Sequence, residues 1–106
     1  MSKLKYEVLL PKSKSQLEGR LLELFKSKPK NVIIKILDNY INPDDLNEIL
    51  TKFQKEIERY KKNKSIVILT YQYDNLPDFV SVAPTEEEAA DIIEFEHIER
   101  DLWLDE

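Results

Sequence analysis

The residues best placed to do chemistry lie near the C-terminal end, in the run EFEHIERD from Glu94 to Asp101. Glu94, His97 and Asp101 stand at i, i+3 and i+7, so one helical face can present two carboxylates and an imidazole. That set suits a divalent metal or acid–base work. The same residues also read as a solvated acidic face, with His97 protonated by its neighbours and Arg100 paired to Glu96 four residues earlier. His97 is the only histidine, so no metal site is expected. A second group is Asp38, Asn39, Tyr40, Tyr71 and Tyr73, which follow two apolar runs. Ligands of open α/β sheets bind beyond the carboxyl ends of strands, which makes Asp38, Tyr71 and Tyr73 the candidates for a small-molecule site. Trp103, between Leu102 and Leu104, gives an acidic tail an apolar tip. It either folds back on the domain or anchors a partner or a second copy.

Several chemistries are excluded by composition. The 106 residues hold no cysteine, which removes disulfides, thiolate zinc sites and cysteine nucleophiles. With one glycine there is no phosphate-cradling loop of the GxGxxG or Walker kind. Serines at 2, 13, 15, 27, 65 and 81 have no spacing to His97 that suggests a hydrolytic triad. No apolar run approaches the roughly 20 residues of a spanning helix, and the short apolar stretch before Pro11 is too brief for a signal-peptide core. The expectation is one domain acting in the cytoplasm, with no cofactor and no membrane contact.

The net charge of −5 is unevenly spread. Residues 1–64 carry fifteen basic and nine acidic side chains, whereas residues 65–106 carry one basic and twelve acidic. Halves of opposite sign suggest complementarity within or between molecules. Lysines 12, 14, 26, 28 and 30 make a local basic patch, but a pI near 5.0 argues against a nucleic-acid footprint.

The elements that must position these residues follow from periodicity. The strongest helical pattern runs from Asn42 to Lys62. Leu46, Ile49, Leu50, Phe53, Ile57 and Tyr60 share one face, with Asn42 as N-cap, Pro43 at the first position, and Asp44 and Asp45 complementing the dipole. Lysines at 61, 62 and 64 close it, with Asn63 suited to a left-handed terminal residue. The β-branched runs Val32–Leu37 and Ile66–Tyr71 read as strands covered on both faces, so the helix is the crossover of a βαβ unit. Leu4–Leu10 is an edge strand ended by Pro11. A first helix spans about Gln16 to Ser27, with Ser15 and Glu18 at capping-box spacing, and contains Gly19, which weakens it by roughly 1 kcal/mol. Gln72–Phe79 is a loop and Phe79–Ala83 a short strand. Thr85 and Glu88 form a second capping box opening the last helix, whose core stripe runs Ala89, Ile92, Ile93, then Phe95, Ile98 and Leu102. The fold class is α/β in the order β-α-β-α-β-β-α, about four strands in a mixed or mostly parallel sheet. The direction of the last strand stays open, because parallel crossovers usually need a dozen or so residues.

The strand–helix–strand core, followed by a short strand and APTEEEAADII, resembles the STAS domain, the fold of anti-sigma-factor antagonists. The residues that carry the likeness are Pro84, Thr85, Glu88 and Ala89 at the start of the last helix, within Val32 to Leu104. That resemblance implies a non-enzymatic module that binds proteins. Relatives of that family are switched by phosphorylation of a Ser or Thr where the second core strand enters its helix; here Asp38–Asp45 holds neither. Asp44 and Asp45 would supply constitutive negative charge there. The segment VAPTEEEAADIIEFEHIERDLW is also similar to that of small bacterial proteins typical of the Bacteroidetes, some labelled ribonuclease Z. The nuclease of that name relies on a histidine-rich zinc run, which one histidine cannot build. The expected partner is a protein or a second copy, bound through Asn42, Asp44, Asp45 and Trp103. The alternative is a small-molecule protein or enzyme using the Tyr/Asp strand ends or the Glu94–His97–Asp101 face.

Overall fold

The computed structural model of the chain describes residues 4–36, 40–71 and 76–104, the last two of these as helix backbone. The order is β1 (Glu7–Leu9), α1 (Lys14–Lys26), β2 (Val32–Lys35), α2 (Pro43–Lys52), α3 (Gln54–Tyr60), β3 (Ile66–Leu69), β4 (Ser81–Ala83) and α4 (Glu86–Leu104). The strands form one sheet in the order β1-β2-β3-β4. All three pairings are parallel, with Glu7 opposite Val32, Val32 opposite Ile66 and Val67 opposite Ser81. The direction that the sequence leaves open for the last strand is therefore parallel. Its connection contains no helix among the described residues, and none is needed. A strand of four residues is only about 13 Å long, a distance that roughly ten residues of loose chain can retrace.

Alternation along β2 and β3 divides the core into two layers. Val32, Ile34, Ile36, Ile66 and Ile68 face α1, α2 and α3, whereas Ile33, Val67 and Leu69 face Ala89 and Ile93 of α4. Both strands are thus covered on both sides, the reason they read as unbroken apolar runs. Leu76, Phe79 and Val80 of the β3–β4 connection join the first layer. Both helical crossovers and the described end of the β3–β4 connection lie on that face, as expected when strands are added in one direction with a constant right hand. The second face is covered by α4, with Leu4 and Tyr6 packed beside it.

Local structure differs from expectation in four places. The Asn42–Lys62 helix is two helices, broken at Phe53, where φ is −103° and ψ 21°. The apolar spacing carries on across the break, because Leu50 before it and Ile57 after it enter the same core layer. Phe53 itself is buried, its ring 5.8 Å from that of Phe25. The first helix is capped by Ser13, whose hydroxyl accepts from the Gln16 amide at 3.1 Å, and not by Ser15. Ser13 and Gln16 have the same S-x-x-Q spacing two residues earlier. Asn63 is not left-handed, since no described residue other than glycine has positive φ. Its amide and that of Lys64 instead turn back on the Tyr60 carbonyl, each at 3.1 Å. Finally, Phe95, Ile98 and Leu102 are not core, as set out below. By contrast Thr85 caps the last helix as expected, the Glu88 amide donating to its Oγ1 at 3.1 Å, while the Glu88 carboxylate accepts from that hydroxyl at 3.2 Å.

Tyr60 fixes the end of α3 to the turn before β2. Its hydroxyl donates to the Lys30 carbonyl at 2.6 Å and accepts from the Lys30 amide at 2.9 Å. Burial pushes its pKa above the usual value of 10.0. A raised folded pKa means stability that is intact below the unfolded value and lost as pH rises through the folded one. Tyr60→Phe is therefore expected to lower stability by about 1–2 kcal/mol at pH 7. The gap between variant and parent should narrow above pH ~10, read from urea midpoints at the two pH values. Gly19 has open space where a Cβ would sit, so Gly19→Ala should stabilise by about 1 kcal/mol, measured in the same way.

Candidate functional site

The start of α2 is built largely by local interactions. Asn42 Oδ1 accepts from the Asp45 amide at 2.8 Å and caps the helix. The Asp45 carboxylate receives Asn42 Nδ2 at 3.3 Å and lies 3.7 Å from Lys14 Nζ of α1. Lys14 also pairs with Glu48 at 3.0 Å, and that hydrogen bond raises the Lys14 pKa. Two of the three α2 residues expected to bind a partner, Asn42 and Asp45, are thus already engaged with the chain, while Asp44 is exposed. Tyr71, 70% exposed, follows β3, and Tyr40 is also exposed. Asp38, Asn39 and Tyr73, named with them, lie outside the described residues.

The acidic run of α4 does not converge as a ligand set. His97 Nε2 lies 3.4 Å from Asp101 Oδ2 one turn on. Glu94 lines a cleft of about 530 Å³ together with Leu4, Tyr6, Glu86, Glu87, Ala90 and Asp91, in which the Tyr6 hydroxyl donates to Glu86 at 2.7 Å. Among the described residues no group of three or more His, Asp or Glu is arranged to hold a metal ion. Trp103 stands in the last turn of α4, and its side chain lies outside the described residues.

What the sequence reading missed is how α4 is held and what it turns outward. Glu96 and Arg100 do not pair with each other. Glu96 accepts from the Ser65 hydroxyl at 2.6 Å and from the Ser81 hydroxyl. Arg100 donates to Ser65 Oγ and to the Lys61 carbonyl, both at 3.3 Å. Lys61 Nζ closes the ring on Ser81 Oγ at 3.4 Å and on the Phe79 carbonyl at 3.0 Å. Ser65 is fully buried, and its amide donates to Asn31 Oδ1 at 2.9 Å. The inner face of α4 is therefore apolar at Ala89 and Ile93 and polar from Glu96 onward, where it reaches the amino ends of β3 and β4.

The outer face carries the opposite pattern. Phe95 follows Ile93 by two residues, about 200° around the helix, and Phe95, Ile98 and Leu102 are 62, 57 and 63% exposed. On one flank, Phe95, Ile92, Glu96 and Glu99 line an open cleft of about 560 Å³ against Ser81 and Val82 of β4. Angular position relative to Ala89 and Ile93 is the sequence signal that separates this stripe from the core. Helical spacing alone joins the two.

No protein-family model, curated protein or solved structure matches the chain. The fold and this face define it as a small parallel α/β protein presenting an apolar helix surface.

Glu96→Gln replaces one carboxylate oxygen by a donor facing a donor. The expected cost is about 1–3 kcal/mol, seen as a lower urea midpoint at unchanged slope. Glu99→Gln, on an exposed neighbour, is expected to leave the midpoint in place.

Proposed function

We propose that the chain is a non-enzymatic protein-interaction module of the cytoplasm, which binds its partner chiefly through the outer face of α4. The observation that carries this reading is the contiguous stripe of Phe95, Ile98 and Leu102, three large apolar side chains directed to solvent on a helix whose other face is already packed. Scattered exposed apolar residues need no explanation, but an aligned set rimmed by charge is the usual mark of a binding surface. The resemblance of Val32 to Leu104 to STAS domains, which act by binding proteins, supports the same reading. Asp44 at the start of α2 is a secondary contact in this reading, carrying fixed charge where such relatives carry a phosphorylated hydroxyl.

The reading is tested by affinity capture from the native cytoplasm with three baits, analysed by mass spectrometry. The parent chain is expected to retain a partner that Phe95→Ser/Ile98→Ser loses at least about tenfold, the loss two buried apolar anchors produce. Asp44→Lys is expected to weaken capture less. A partner held equally by the parent and the serine variant would remove the α4 surface from the proposal.

A further inference from the structure

The flanks of the apolar stripe specify the chemistry of its occupant. Written as a heptad, Phe95 and Leu102 take position a and Ile98 takes d, the seam by which one helix packs on another. From residue 94 to 102 the flanking e and g positions are then Glu94, Glu99 and Asp101, all acidic; the preceding e position is Ile92, which lines the cleft beside β4. The basic residues of this helix do not offset them. Arg100 is turned inward onto Ser65 and the Lys61 carbonyl, and His97 sits beside Asp101. Residues at e and g decide which helix is accepted. In a pair of α4 helices from two copies, carboxylates would face carboxylates on both sides of the seam. A second copy is thus disfavoured by the same residues that favour a cation-rich partner.

We infer that the outer face of α4 is a docking surface for a cationic amphipathic helix, with apolar residues at a and d and Lys or Arg at e and g. This rests on the interaction-module reading and narrows it to one class of partner. Phe95 and Ile98 supply the apolar anchors, while Glu94, Glu99 and Asp101 pair with the partner's cations. The cleft beside β4 receives whichever side chains overhang the Glu99 flank.

The test uses the whole chain and three synthetic peptides of about three heptads. One has Leu at a and d with Lys at e and g; the second has Glu at e and g; the third keeps Lys but has Ala at a and d. Binding is followed by isothermal titration. The Leu/Lys peptide is expected to bind saturably, at least about tenfold tighter than either of the others. Its affinity should fall as salt is raised past about 0.5 M, where the Debye length is only a few ångströms. Phe95→Ser/Ile98→Ser, checked for an unchanged urea midpoint, is expected to abolish binding. The charge-reversed Glu94→Lys/Glu99→Lys/Asp101→Lys chain is expected to prefer the Leu/Glu peptide. Equal binding of the Leu/Lys and Ala/Lys peptides would reduce the effect to general charge attraction and overturn the inference. So would full affinity in the serine variant. A dimer seen by sedimentation and lost in that variant would assign the face to a second copy, overturning the cationic partner while leaving the interaction module standing. The α4 surface leaves the proposed function only if capture shows no dependence on Phe95 and Ile98.

Discussion

The constraint on which the rest depends is the order in which the strands are laid down. Four parallel strands added in one direction with one crossover hand place α1, the α2–α3 pair and the β3–β4 connection on a single face of the sheet. The other face is covered chiefly by the segment that follows β4, with Leu4 and Tyr6 packed against the same layer. That segment is one helix of 19 residues, about 28 Å long, lying on strands less than half that length. It cannot bury its whole inner face against apolar side chains, and it does not. Ala89 and Ile93 meet the sheet, and Glu96 and Arg100 meet the polar amino ends of β3 and β4.

The ring of Ser65, Ser81, Glu96, Arg100 and Lys61 is how that second contact is made without leaving buried groups unpaired. No described buried side-chain nitrogen or oxygen lacks a partner. Such networks help most when complete, because in a low-dielectric environment a half-satisfied group costs more than an apolar one. The ring also sets the rotation of α4. With Glu96 and Arg100 directed inward, Phe95, Ile98 and Leu102 must point away from the domain. Anchoring and presentation are two sides of one angular choice.

Much of this architecture was legible in the chain. β2 and β3 announce themselves as continuous β-branched runs, and the Thr85–Glu88 box marks the start of α4 because its capping bonds are local. Features that depend on distant residues were not legible. The partners of Glu96 come from before β3 and from the start of β4, so i,i+4 reasoning assigned it to Arg100 instead. The break at Phe53 leaves the apolar spacing intact and so leaves no trace in the pattern. The stripe at 95, 98 and 102 has helical spacing to Ile92 and so reads as core; its angular offset from Ala89 and Ile93, the residues that meet the sheet, is what turns it outward.

The parallel sheet also bears on how the chain reaches this state. Among the described residues every strand pairing is parallel, so no two of these strands can pair before an intervening segment has been brought round. Glu7 waits for Val32, and Val32 for Ile66. Each of these closures costs chain entropy before any ladder bond returns it, which places the protein among the slower folders for its size. The β3–β4 pair closes the shortest loop, and the contacts of α4 with Ser65 and Ser81 join residues on both sides of that loop.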